Sequence, residues 1–189
     1  MPLNRDQLAQ CIEKNARSKL AGDRLADLLR SGFTSATKAV KAVFGDLGKE
    51  LGYRVAAAGY RGADDGEWLY DMVWYEVDEK ELLLQLRMVL ESELKPGGSV
   101  SKSADVDGDF QKLVQARADV RVWLTACPNQ ELVAKHIANC KFQVQRFAES
   151  MPSDIYIFIV YDWTTGKTSV ERFQPPVPDD PHVIANITQ

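Results

Sequence analysis

The sequence predicts an α/β fold, a β-sheet flanked by helices with a helical extension in front of it. Apolar residues recur at helical spacing through roughly the first fifty positions and again in two later stretches. Between these lie short runs rich in β-branched and aromatic residues, bounded by turns that contain glycine. A length of 189 residues with 45% hydrophobic side chains supplies the core of one such domain.

Residues 4–51 read as two or three helices. Leu25, Leu28 and Leu29 mark one apolar stripe, and Ala36, Val40, Val43, Leu47 and Leu51 mark the next, with Ser31-Gly32 separating them. Gly52 is a plausible cap, and residues 53–58 form a first strand. After a turn over 59–66, a second strand covers 68–75 with Asp71 at its centre. A charged connection, 76–81, leads into a long apolar strand over 82–94, and the two strands pair as a hairpin. Residues 96–108 form a loop, and a helix capped by Asp109 runs through Phe110, Leu113, Val114 and Ala118. A strand over 120–124 precedes a helix over about 129–149, whose apolar side carries Leu132, Val133, Ile137, Cys140, Val144 and Phe147. A hairpin of 155–161 and 168–173 around the turn 164–167 completes the core. The tail from Gln174, with Pro175, Pro176, Pro178 and Pro181, reads as extended or disordered. The chain thus divides into a helical arm (1–33), a main domain (34–173) and a proline-rich tail (174–189).

No apolar segment reaches membrane-spanning length, since Gln85 and Arg87 interrupt the longest run, and the first residues lack a secretory pattern. The expectation is a cytoplasmic protein that does not engage a membrane. Cys11, Cys127 and Cys140 are odd in number and widely spaced, which indicates neither a disulfide framework nor a zinc knuckle. Buried free thiols are expected. A net charge of −4 gives no global drive towards nucleic acid. Residues 1–60 are nevertheless net basic and 61–110 strongly acidic. An acidic segment can build a metal site while basic residues such as Lys38, Lys41 and Lys49 meet phosphates, and solvated surfaces have the same composition.

The acidic segment holds the chemistry. Glu91 and Glu93 are two residues apart in an apolar strand, so they share one face of the sheet. Two carboxylates side by side against a hydrophobic sheet repel each other, and burial raises the cost of both unless a metal ion or a basic side chain sits between them. Asp71 on the neighbouring strand is a third candidate ligand. His136 and His182 have no ligand spacing and no triad partners, and Gly59, Gly62 and Gly66 do not form a phosphate-cradling loop. Trp68, Trp74 and Trp123 read as packing residues, with Trp163 more exposed.

The order helix, strand, acid-bearing strand, strand ending in a carboxylate pair, helix, strand resembles the PD-(D/E)XK, or restriction-endonuclease-like, nuclease superfamily. That superfamily carries an Asp on its second core strand, matched by Asp71, and Glu/Asp-x-Lys on its third, matched in part by Glu91-Ser92-Glu93. The resemblance covers about residues 34–127. It is similar to a bacterial branch with Glu-Ser-Glu followed by Asp-Phe-x-Lys-Leu, here Asp109-Phe110-Gln111-Lys112-Leu113. It implies a restriction-endonuclease-like core with a mixed central sheet flanked by helices. The strand position of the expected Lys holds Glu93, and the resemblance implies that Lys112 replaces it from the following helix by reaching Glu91 or Glu93. A cation in the first turn of that helix is disfavoured by the helix dipole, which calls for such a partner.

The implied activity is metal-dependent hydrolysis of DNA phosphodiester bonds. Asp71, Glu91, Glu93 and Lys112 are the implied catalytic residues, and Asp71, Glu91, Glu93 and Glu50 the implied ligands of Mg²⁺ or Mn²⁺, with Asp46 an alternative to Glu50. The other reading is a catalytically inactive protein of the same fold, in which Lys112 pairs with Glu93 and the molecule serves as a protein-interaction or oligomeric module.

Overall fold

The computed structural model describes residues 3–21, 23–94 and 108–177. The loop expected over 96–108 lies outside them except for Gly108, as do His182 and the tail from Pro178 onward. Three helices open the chain: α1 (Arg5–Leu20), α2 (Asp23–Arg30) and α3 (Phe33–Glu50). The side chain of Asn4 accepts from the Gln7 amide at 2.9 Å while Gln7 Oε1 accepts from the Asn4 amide, a reciprocal cap that starts α1. Gly52, at φ +83°, ends α3 in the left-handed conformation that glycine adopts without Cβ strain. Strands β1 (Arg54–Ala56), β2 (Met72–Val77) and β3 (Leu83–Glu93) follow, then α4 (Gly108–Gln115), β4 (Ala118–Cys127), α5 (Gln130–Arg146), β5 (Ile155–Asp162) and β6 (Thr168–Phe173).

The six strands form one mixed sheet in the order β1-β2-β3-β4-β5-β6. The pairs β1/β2, β2/β3 and β5/β6 are antiparallel, whereas β3, β4 and β5 run parallel. Alternation along each strand divides the apolar side chains between two cores. Met88 and Leu90 of β3 pack with α1, α2 and α3 on one face, and Val89 packs with Phe110, Val114 and Ile137 of α4 and α5 on the other. The arm over 1–33 therefore shares its core with the sheet, through Leu8, Ile12, Leu20 and Leu25. The β6 edge is closed by α1, where Arg17 Nη2 donates to the Val170 carbonyl at 2.6 Å and Arg172 pairs with Asp6. Among the described residues no helix is long and apolar enough to cross a membrane.

Several expectations shift in detail. The second strand begins at Met72, because Trp68 and Leu69 lie outside the sheet and Trp68 instead packs its ring 4.7 Å from that of Tyr75. Asp71 consequently sits just before β2 and not at a strand centre. Helix α4 begins at Gly108, so Asp109 is in its first turn instead of capping it, and Lys112 falls in the last turn. The dipole penalty expected for Lys112 disappears with that placement. Trp163 is half-buried between the rings of Phe33 and Tyr161. Cys127 and Cys140 are buried free thiols as expected, and Cys11 is partly exposed.

The approach of α3 to the sheet depends on Gly48. A Cβ there would lie 2.7 Å from Cε2 of Trp74, which is completely buried and packs against Tyr53. Alanine in a helix interior ordinarily stabilises by up to about 1 kcal/mol over glycine. Overpacking against an immobile indole costs about 1–3 kcal/mol. The clash outweighs the propensity, so Gly48→Ala is expected to lower the thermal midpoint by several degrees. An unchanged or raised midpoint would show that Trp74 has room to shift.

Candidate active site

The parallel strands β3 and β4 end at Glu93 and Cys127, and β2 starts from the same end because it runs the other way. The β2/β3 register places Met72 opposite Leu90, so Asp71 and Glu91 are the next positions on the two strands. This is the end of a parallel sheet where α/β folds place ligands, since loops diverge there and leave a crevice. Asp71 is fixed from two sides. Its Oδ2 accepts from the Ser92 amide at 2.9 Å and from Ser92 Oγ at 2.7 Å, while Oδ1 lies 3.2 Å from Nζ of Lys41. Lys41 also reaches Glu67 Oε2 at 3.0 Å and is itself only 5% exposed.

Glu91 is held from the opposite layer. Its side chain shares the α4 face of the sheet with Val89, and Nζ of Lys112 lies 2.7 Å from Glu91 Oε1 and 2.8 Å from Asp109 Oδ1. That oxygen meets the ammonium as an ion pair and accepts no aligned hydrogen bond. Burial raises the Glu91 carboxyl from an ordinary 4.5 to about 7, against the opposing pull of Lys112, and the charges of Asp71 and Asp109 add to the rise. Burial pulls Lys112 the other way, but its contacts with Asp109 and Glu91 prevail and hold its pKa raised. Lys112 is therefore a permanent cation beside a carboxylate close to its titration point at neutral pH.

The structure thus brings together Asp71, Glu91 and Lys112. Glu93 lies beside them at the end of β3, where its carbonyl accepts from Thr125 Oγ1 at 2.8 Å. Glu50 is not part of the cluster. It is exposed at the end of α3, nine residues and about 13 Å along the helix axis from Lys41. Asp46 is engaged elsewhere, accepting from the Tyr60 hydroxyl at 2.9 Å. The expected ligand set of Asp71, Glu91, Glu93 and Glu50 is not assembled, and among the described residues no three His, Cys, Asp or Glu side chains are grouped to hold a metal.

Glu67 and Ser92 were missed as site residues in the sequence, and Lys41, expected to meet phosphates, instead pairs with two carboxylates. One signal was present for Lys41, which falls on the buried stripe of α3 with Phe44, Gly45 and Gly48, where a charged residue breaks the apolar pattern. Glu67 lies in an irregular loop and gives no such signal. A cavity of about 410 Å³ opens beside these groups, lined by Thr37, Lys38, Lys41, Asp71, Ser92 and Glu93. A larger one of about 640 Å³ lies at the other end of the sheet, where four of the charged lining residues pair with one another, Arg5 on Asp119 at 2.7 Å and Arg121 on Asp154 at 3.1 Å. The smaller cavity is lined by two lysines and two carboxylates, Lys38, Lys41, Asp71 and Glu93, while Glu91 and Lys112 lie outside its lining. The chain matches no family model, no curated protein and no solved structure.

Proposed function

We propose that this protein is a metal-dependent nuclease of the PD-(D/E)XK type that hydrolyses DNA phosphodiester bonds. The observation that carries the reading is the 2.7 Å contact between Lys112 and Glu91. The resemblance requires a lysine at the strand carboxylate, Glu93 occupies the position that would supply it, and a lysine 21 residues away arrives there instead. The order α3, β1, β2, β3, α4, β4, with an acid at the start of β2 and another near the end of β3, supports the same reading.

The donor set suits a hard cation. Mg²⁺ binds through one or two carboxylates, keeps several waters and takes phosphate oxygens from the substrate, so a preformed three-ligand cage is not required. Asp71 and Glu91 are the residues that would hold it, the ion taking the place of the lysine that now contacts each of them. When bound, the cation lowers the pKa of a coordinated water and offsets charge on the phosphate under attack. Ser92 keeps Asp71 oriented through its amide and hydroxyl. Lys112, charged at every physiological pH, stabilises negative charge on the phosphate oxygens as the bond to the leaving oxygen breaks. Lys38 and Lys41 give the cavity a basic wall for the phosphate backbone.

Asp71→Asn and Glu91→Gln are each expected to abolish saturable Mg²⁺ or Mn²⁺ binding in calorimetry and to reduce plasmid or single-stranded DNA cleavage by at least about a hundredfold. One observation favours a second reading, a non-catalytic interaction module: both carboxylates already have a lysine partner. No metal binding and no cleavage by the folded wild-type protein would establish that reading and remove the first.

A further inference from the structure

Lys41 is out of place by the ordinary rules of burial. A lysine that is 95% removed from solvent pays a desolvation cost that an ion pair seldom recovers in full. Its ammonium is nevertheless aimed into the carboxylate cluster, between Glu67 at 3.0 Å and Asp71 at 3.2 Å. The neighbouring half of the cluster is Glu91, Asp109 and Lys112, electrostatically linked to the first because the Asp71 charge is felt at Glu91.

Lys41 occupies the Asp71 oxygen that Ser92 leaves open. Oδ2 is taken by the two Ser92 donors, and Oδ1 faces Lys41. A cation entering at Asp71 from the cavity therefore meets Oδ1 with the ammonium already on it. Two cations a few ångströms apart repel strongly in a site of low dielectric, so occupancy of Oδ1 by a divalent ion and by Lys41 is mutually opposed. Lys41 lines the same cavity as Lys38 and Thr37, so an ammonium displaced from Oδ1 remains within the space that a phosphate would enter.

We infer that Lys41 is the resident counter-ion of Asp71 and Glu67, a positioning residue that holds these acids together in the metal-free protein and competes with the divalent ion for Asp71. This inference rests on the nuclease reading of the site. The role differs from that of Lys112, which pairs with Glu91 on the opposite layer and does not touch Asp71 Oδ1.

The test is calorimetric titration of Mn²⁺ into the metal-free full chain, alone and as Lys41→Met, Lys41→Arg, Glu67→Gln and Asp71→Asn, with folding checked by circular dichroism. Lys41→Met is expected to bind Mn²⁺ at least tenfold more tightly than wild type, and Lys41→Arg, which keeps the charge, to stay within about threefold. Glu67→Gln, a change in an exposed loop that does not threaten the fold, leaves Lys41 with Asp71 as its one acid of the pair and is expected to weaken Mn²⁺ several-fold. Mn²⁺ affinity unchanged in both Lys41→Met and Glu67→Gln would overturn the inference while wild-type binding preserves the nuclease reading. Should Lys41→Met fail to fold, the Glu67→Gln titration decides by itself. Absence of binding in every folded variant overturns both readings.

Discussion

Glu91→Gln is expected to stabilise the metal-free protein at pH 8 by about 3 kcal/mol while removing the divalent-ion binding proposed above. Burial lifts the Glu91 carboxyl from 4.5 to about 7. Between those values the unfolded chain has released the proton and the folded chain still holds it. The folded state binds more protons there, so stability falls as pH rises through the window. The contribution of this group is fully present below about 4.5 and is lost once pH passes about 7. Glutamine keeps the shape and is neutral throughout, so the variant should show no such loss. For a chain of this length the difference corresponds to roughly 6–12 °C in the thermal midpoint. The measurement is urea unfolding of both proteins at pH 5 and pH 8 with a chelator present. Parallel pH profiles would show that Glu91 is ionised in the folded state throughout, and would remove the physical basis for an acid under strain at the site.

The second large effect lies at the other end of the sheet. Asp119 is 1% exposed and receives Arg87 Nη1 at 2.8 Å, Arg5 Nε at 2.7 Å and the Gln85 amide at 2.8 Å. Arg87, itself buried, also donates to the Leu3 carbonyl and lies over the Tyr53 ring at 5.4 Å. Asp119→Ala would leave the buried Arg87 guanidinium with Glu76, 3.7 Å from its Nε, as its remaining carboxylate, and stripping the close partner from such a buried pair costs about 3–5 kcal/mol. Replacing both partners with apolar residues, Arg87→Met with Asp119→Leu, removes the stranded charge and should recover much of the loss. Denaturant midpoints of the single and double variants check this, and a double variant no better than Asp119→Ala would mean that Arg5 and Gln85 carry the energy instead. Nothing in this network touches the site, so metal binding should be preserved in whichever variants fold.

The architecture was legible where chain-local chemistry dictates it. The return strand of the last hairpin falls at Thr168–Phe173 as expected, because Asp162 accepts from the Thr164 and Thr165 amides and Gly166, at φ +69°, turns the chain. The start of β2 was misplaced for an equally local reason. Trp68, Leu69 and Tyr70 extend the apolar run on the far side of Asp71, and a surface tryptophan packed on Tyr75 has the same sequence signature as one in a strand. The pairing of Lys112 with Glu91 was within reach of sequence reasoning because a short helix after β3 must lie over that strand. Lys41 and Glu67 were not, since their meeting depends on how α3 crosses the sheet and how an irregular loop returns to Asp71. Arg87 and Asp119 read as interruptions in apolar strands, and only packing reveals that they answer each other.

The closure of the β6 edge by α1 also sets an order of events during synthesis. Asp6 and Arg17 are made before the partners that seat them, Arg172 and Val170, which follow more than 150 residues later. At roughly 5–20 residues per second, that interval is about 10–30 seconds. Throughout it, Leu8, Ile12 and Leu20 of α1 must wait with their final seat incomplete. Among the described elements α1 is therefore early to be made and late to be secured, its seat incomplete until β6 has emerged.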